Sequence, residues 1–242
     1  MTERSQTLAD MHSHILPGID DGSPNIGTSV KMLGAEKRSG VGRIALTPHF
    51  ALSSNTVGTF LTKREQAYEQ LAPEAEKLGI ELSMGAEVLY TRSLADIDLT
   101  RLCIGNTRYM MIELPYERLT GRFVSEFRSF EGSIFPDIRL ILAHAERYLA
   151  FTSEESLLGL ISPDMVIQVN CGSFRTFGKR KAFIYKLIRN DMLHLLGTDC
   201  HNMTDRAPNM DTARKAICRK FTPQVFYGLM NNAHMVLDGG QI

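Results

Sequence analysis

Short, continuously apolar runs punctuate this chain, among them Tyr109-Met110-Met111-Ile112 and Leu140-Ile141-Leu142-Ala143. Such runs mark strands buried on both faces, as in a parallel sheet covered by helices; half-exposed antiparallel strands alternate instead. Seven runs occupy 8–15, 43–48, 80–89, 108–114, 139–144, 165–170 and 193–198. Between them apolar residues return at helical spacing, as do Phe60, Leu61, Ala67, Tyr68, Leu71, Ala75 and Leu78 in the segment 59–78. The same spacing predicts helices over 26–38, 123–130, 179–189 and 211–220, with Gly40, Gly79 and Asn190 placed for left-handed caps. Seven βα-like units predict an α/β fold, either a barrel related to the eight-fold one or a doubly wound sheet. No linker or shift in composition interrupts the rhythm, so 1–242 reads as a single domain.

Composition narrows the functional classes. Lys+Arg and Asp+Glu both number 27, so no basic excess drives binding to nucleic acid or anionic lipid. The local basic run Lys179-Arg180-Lys181 reads as a solvated helix start. No apolar run approaches the roughly 20 residues that span a bilayer, and residues 1–10 lack the apolar core of a signal peptide. Cys103, Cys171, Cys200 and Cys218 have no paired spacing of a zinc ribbon or disulfide framework. Scattered thiols without a secretion signal point to the reducing cytoplasm.

Reactive side chains collect at the downstream ends of these runs. His12 and His14 close the first, with Asp20 and Asp21 in the loop after it. His49 ends the second, Glu87 the third, Glu113 the fourth, His144 the fifth, and Asp199-Cys200-His201 the seventh. In parallel α/β barrels these ends converge on one mouth, where active sites form. Residues two apart on a strand share a face, so His12 with His14, and Asp199 with His201, can reach one ion together. Imidazole and carboxylate ligands suit zinc, iron or manganese. Nine candidate ligands oversupply one four-coordinate site, and two or three ions sharing carboxylates, with Glu87 and Asp199 as bridges, account for them better. His194 and His234 lie away from run ends and read as structural, and Asp20 as a turn residue beside the ligand Asp21. Arg147 and Arg206 follow His144 and His201 and offer guanidinium forks for a phosphoryl group.

Cys200 and Arg206 also match the spacing of cysteine-dependent phosphatases. The intervening His201-Asn202-Met203-Thr204-Asp205 contains no glycine to wrap a phosphate, and Asp199 opposes a thiolate. The sequence therefore favours metal chemistry over thiol chemistry.

Together these residues carry a resemblance. The motifs are Asp10-Met11-His12-Ser13-His14 running on to Asp20-Asp21-Gly22, then Thr47-Pro48-His49, Gly85-Ala86-Glu87-Val88 and Ile112-Glu113-Leu114-Pro115. They continue with Ala143-His144-Ala145-Glu146-Arg147-Tyr148, Gln168-Val169-Asn170 and Thr198-Asp199-Cys200-His201-Asn202, followed by Arg206-Ala207-Pro208. The chain resembles the PHP (polymerase and histidinol phosphatase) superfamily, and within it the capsule-biosynthesis type of manganese-dependent protein-tyrosine phosphatase. That resemblance implies a distorted (β/α)7 TIM-like barrel with its metal site at the C-terminal ends of the strands. It implies three divalent metals, manganese first, with iron or zinc as alternatives. His12, His14, Glu87 and Asp199 would hold one ion, Glu87, Glu113 and His144 its bridged neighbour, and Asp21, His49 and His201 the third. Arg147, Arg206 and Asp199 are the implied catalytic residues, in an attack on phosphorus by a hydroxide bridging two metals. The implied substrate is the phosphotyrosyl tail of a membrane-linked tyrosine autokinase of capsule or exopolysaccharide synthesis. A small-metabolite phosphatase, a phosphodiesterase and a non-catalytic metal-binding regulator are the alternatives; oligomeric state is left open. Ala145 and Cys200 depart from the usual pattern, and Cys200 raises the expectation of sensitivity to oxidation.

Overall fold

The computed structural model describes residues 7–242; the signal-peptide reading of 1–10 lies largely outside them. Among these described residues nine strands form, β1 (Leu8–Ser13), β2 (Val41–Leu46), β3 (His49–Phe50), β4 (Glu81–Met84), β5 (Glu87–Leu89), β6 (Tyr109–Glu113), β7 (Arg139–Leu142), β8 (Val166–Asn170) and β9 (Leu195–Gly197). Every ladder between them is parallel. One sheet is ordered β1-β2-β4 and the other β3-β5-β6-β7-β8-β9.

Seven apolar runs become nine strands because the third breaks in two and a short further strand forms just past the end of the second. Thr47-Pro48 separates β2 from β3, since proline has no N–H to give a ladder. Gly85-Ala86 separates β4 from β5. The breaks lie side by side: the Gly85 N–H donates to Leu46 O at 2.8 Å and the Glu87 N–H to Pro48 O at 3.0 Å. After β9 the chain meets β1, where the Asp199 N–H donates to His12 O at 2.7 Å and the His14 N–H to Cys200 O at 3.0 Å. A parallel bridge pairs Ser13 with Cys200 there. The result is an α/β fold built on a curled parallel sheet.

Seven helices accompany the strands, α1 (Ile26–Arg38), α2 (Val57–Lys77), α3 (Gly121–Ile134), α4 (Glu154–Leu160), α5 (Lys179–Arg189), α6 (Met210–Lys220) and α7 (Pro223–Leu237). Side-chain oxygens of Asn25, Thr56, Thr120 and Ser153 accept from free N–H groups at the starts of α1 to α4. Gly40 and Gly79 are left-handed as their positions predict, at φ 87° and 62°. Asn190 is not: it stays at φ −102°, and the left-handed residue is Asp191, one step further at φ 53°. Asn190 is the half-in cap, and the reversal belongs to the residue after it.

Two apolar layers result. Leu33, Leu71, Phe127, Leu142 and Leu187 belong to the larger one, between helices and strands. Ala9, Met11, Tyr109, Met111, Ile141, Val166 and Leu195 form a smaller inner layer with Ala233, Val236 and Leu237 of α7. The sequence reading assigns no helix to α7, which opens with Pro223 in its first turn. Its His234 donates from Nε2 to Thr7 O at 2.8 Å, so α7 packs at the end of the sheet where β1 begins. The opposite end, at the strand C-termini, is left to polar groups.

Candidate metal centre

The bonding register of β1 shifts between Asp10 and Ser13. Met11 accordingly joins the inner apolar layer, while His12 and His14 converge on the polar end. Asp10 turns away and accepts from the Thr198 backbone N–H at 2.8 Å. Gly197 permits the close passage of β9 beside β1: a Cβ there would stand 2.4 Å from His12 Cβ. Two contributors sit in left-handed backbone, His144 at φ 33° and Asp199 at φ 51°. For a non-glycine residue this conformation costs on the order of 1–3 kcal/mol and is held by its surroundings.

All nine expected ligands come together. His12 Nε2 and His14 Nε2 lie 3.1 Å apart and 3.1 and 3.2 Å from Glu87 Oε2. Asp199 Oδ1 is 3.7 and 3.5 Å from the same two nitrogens. The other Glu87 oxygen is 2.7 Å from His144 Nε2, which is 3.4 Å from Glu113 Oε1. Asp21 Oδ1 stands 3.4 Å from His49 Nε2 and 3.5 Å from His201 Nε2. His49 Nδ1 also lies 3.1 Å from Glu87 Oε2, so His49 stands between the second and third groupings rather than wholly in the third. Donor atoms sharing one ion through bonds of roughly 2.0–2.2 Å sit at about these separations.

The donor set fits cations on its own observations. Glu87 Oε2 and His201 Nε2 are buried and have no hydrogen-bond partner, an arrangement that is costly unless something charged completes it. Ring orientation is fixed from behind, leaving the inward nitrogen free. His14 Nδ1 donates to Asp20 Oδ2 at 2.8 Å, His12 Nδ1 to Gln168 Oε1 at 3.3 Å, and His201 Nδ1 to Asp199 O at 3.0 Å. Gln168 Oε1 also accepts from the His144 N–H at 2.7 Å.

Charge follows the same plan. Burial pushes the Glu87 carboxyl up, but His12, His14 and His144 outweigh it and hold Glu87 well below the usual range. Asp199 is likewise held low against burial, by His12 and His14. Burial disfavours charge on His14, yet the neighbouring carboxylates of Asp20 and Glu87 raise its pKa to about 10. Against the same penalty Glu113 and Glu87 raise His144 to about 9. Burial and the neighbouring His14 push His201 down to about 4.

Both arginines reach this cluster. Arg147 Nη1 lies 3.0 Å from Asp199 Oδ2 and Arg206 Nη2 lies 2.7 Å from Asp199 Oδ1. Asn170 donates to Asp199 Oδ2 at 2.7 Å. Each arginine keeps about a third of its side chain exposed, so an incoming anion can meet both.

Three sequence expectations change. Asp20 is a nearly buried acceptor for His14 and for the His49 N–H (3.0 Å), not a plain turn residue. The signal was Gly22, where a Cβ would come within 2.3 Å of His14 O. Asp199 and His201 do not share a face by strand alternation, because β9 stops at Gly197 and the left-handed Asp199 turns the chain. Cys200 is fully buried, with Sγ 4.0 Å from Glu36 Oε1. Burial and the carboxylates of Glu36 and Asp10 push its thiol well up, which removes both the nucleophile reading and the basis for easy oxidation. His194 and His234 are structural as read: His194 Nδ1 accepts from the Ile167 N–H at 2.9 Å. Gln168 and Asn170 belong to a quoted motif, but their positioning roles needed coordinates.

Known proteins are similar to this chain. The chain is 29% identical over 244 residues to the tyrosine-protein phosphatase YwqE of Bacillus subtilis, covering 95% of this chain and 91% of that one. It is 27% identical over 229 residues to the tyrosine-protein phosphatase CpsB of Streptococcus pneumoniae, covering 88% and 91%. A crystal structure from work on YwqE and CpsB, described as unique metal-dependent tyrosine phosphatases, superposes with a TM-score of 0.80 at 26% identity, covering 97% of this chain and 96% of that one. A Fervidobacterium islandicum β-aspartyl dipeptidase shares the fold alone, with a TM-score of 0.55 at 13% identity. The family model for capsular polysaccharide synthesis, CpsB/CapC, matches residues 8–238, a span that holds every donor and both arginines, and the chain belongs to that family.

Proposed function

We propose that this chain is a metal-dependent phosphomonoesterase that removes phosphate from tyrosine on a protein of capsule or exopolysaccharide synthesis. The substrate expected is the tail of a tyrosine autokinase. The observation that carries the reading is the convergence of nine donors from six strand ends and loops, capped by Arg147 and Arg206 on Asp199. The tyrosine-phosphatase names of the relatives support the substrate class.

His12, His14, Glu87 and Asp199 would hold one ion, Glu87, Glu113 and His144 a second, and Asp21, His49 and His201 a third, with manganese ahead of iron or zinc. Such ions supply Lewis-acid polarisation and water activation near neutral pH. Arg147 and Arg206 bind and orient the phosphoryl oxygens as charge develops, released to do so from Asp199. Cys200 contributes no bond to phosphorus. A phenoxide leaves more readily than an alkoxide, so a tyrosyl ester places the smaller demand on a general acid. We also read the strands as one domain, a distorted barrel of seven βα units; the β1–β9 contacts and the paired breaks at Thr47-Pro48 and Gly85-Ala86 support that count. Four free cysteines agree with a reducing cytoplasm, and no helix of the described residues is long and apolar enough to cross a membrane.

The test is hydrolysis of a phosphotyrosyl peptide after EDTA stripping and after manganese is returned, with histidinol phosphate and Cys200→Ser in parallel. Loss with EDTA, recovery with manganese and full activity of Cys200→Ser are expected. Preference for histidinol phosphate would overturn the substrate; EDTA-resistant activity that dies with Cys200 would overturn the chemistry.

A further inference from the structure

Beside the donor cluster, two large aromatic side chains stand in water. Tyr116 is 40% exposed and Phe151 45%. They touch each other, with ring centroids 5.4 Å apart at 42°. Neither position is accidental. The chain leaves β6 at Glu113 and reaches Tyr116 three residues later, while Phe151 ends the short helical turn Ala145–Ala150 that follows His144. Tyr116 is anchored on its inner side by the buried Tyr148 (5.8 Å, 30°) and by His144 (6.1 Å, 25°). The Arg147 guanidinium lies 5.5 Å over the Tyr116 ring. Tyr148 is fixed in turn, its hydroxyl accepting from the Leu114 N–H at 2.8 Å. A row of rings therefore runs from an expected metal ligand to the surface, His144 to Tyr116 to Phe151, with Arg147 over its middle.

From this we infer that Tyr116 and Phe151 form the subsite for the aryl group of the substrate. The inference rests on the phosphatase reading above and extends it to the leaving group. An ester seated with its phosphoryl group against Arg147 carries its phenyl ring one P–O and one O–C bond further out. Tyr116 lies within that reach, its ring 5.5 Å from the Arg147 guanidinium, and Phe151 is the ring packed against it. Aromatic pairs hold at centroid separations of roughly 4.5–7 Å in offset or tilted geometry, and the two rings keep 40% and 45% of their surface exposed for a third. A small-molecule site combines a few polar anchors with apolar walls; here the arginines anchor and the rings form the wall. An alkyl phosphate of serine or a small polyol would gain the anchor without the wall.

Affinity for phosphonates, measured by calorimetry on the manganese-loaded full chain, tests this without needing turnover. Phenylphosphonate is expected to bind the unaltered protein about fivefold to tenfold more tightly than methylphosphonate, the scale of one aromatic contact. Phe151→Ala, which removes a ring touching no expected ligand, should bring the two affinities together while leaving methylphosphonate binding unchanged. Phe151→Tyr should keep the preference. A variant that merely misfolds would lose both ligands, and the intact methylphosphonate affinity excludes that outcome. If both phosphonates bind but their ratio is the same in the unaltered protein and in Phe151→Ala, the aryl subsite is wrong and the phosphatase reading stands. If metal loads and neither phosphonate binds, the phosphoryl seat itself is wrong and the subsite falls with it.

Discussion

Asp20 stands behind His14 while Asp21, one residue on, faces the mouth between His49 and His201. Burial works against the Asp20 carboxylate, but its bond to His14 prevails and brings its pKa to about 2. Asp20→Asn keeps the shape and removes the charge that orients the imidazole. Metal affinity in a chelator competition should fall by about 10–100-fold, the usual cost of losing such a partner, and unchanged affinity would remove Asp20 from the site. Protons matter at the same scale. His14 at about 10 and His144 at about 9 are both raised above the ordinary histidine value of 6.5. In the metal-free protein their contribution to stability is therefore complete below about pH 6.5 and is lost as pH rises through 9 and 10. Cations and protons compete for the same nitrogens, so manganese affinity should climb with pH across that window, and loading at pH 7.5 should release protons. Calorimetry in two buffers of different ionisation enthalpy reads the release directly; identical heats would contradict it.

Among the elements, the β1–β9 contact decides whether the first grouping can form. A Cβ at Gly197 would meet His12 Cβ at 2.4 Å and Gln168 Nε2 at 2.8 Å. Gly197→Ala should cost about 1–3 kcal/mol in urea unfolding and weaken metal binding, while Gly58→Ala, with open space around it, should do neither. This contact was only half legible in the sequence. The apolar runs marked β1 and β9, and the histidines at their ends marked the mouth. Nothing in the local pattern told that Asp199 would turn left-handed, or that a register shift would bring His12 to the site beside an inward Met11. Both depend on a partner strand far away in the chain. Helix α7 was missed for another reason: Phe226, Leu229, Met230, Ala233, Val236 and Leu237 are helically spaced, but the helix follows α6 with no strand between them, where the βα rhythm set no expectation. Asp20 was misread because its acceptor role exists only once Gly22 folds the loop back onto His14.

For the whole molecule, a buried crowd of four histidines and three carboxylates makes cations part of the fold's stability. The groups concerned are His12, His14, His144 and His201 with Glu87, Glu113 and Asp199. Manganese at about 100 times its dissociation constant should add about 2.7 kcal/mol per site. In a chain of this size that raises the melting temperature by about 5–10 °C, and a melting curve indifferent to manganese and EDTA would argue against cations at this centre. The sequence location of the donors carries a consequence for synthesis. Asp10 and Thr198, which hydrogen-bond beside the first grouping, are 188 residues apart. On the ribosome His12 and His14 emerge well before Asp199, so the first proposed grouping could close only after β9 has been made. Full metal capture would then be a late event of translation, and a product cut short before β9 would lack two of the nine donors, Asp199 and His201, together with Arg206.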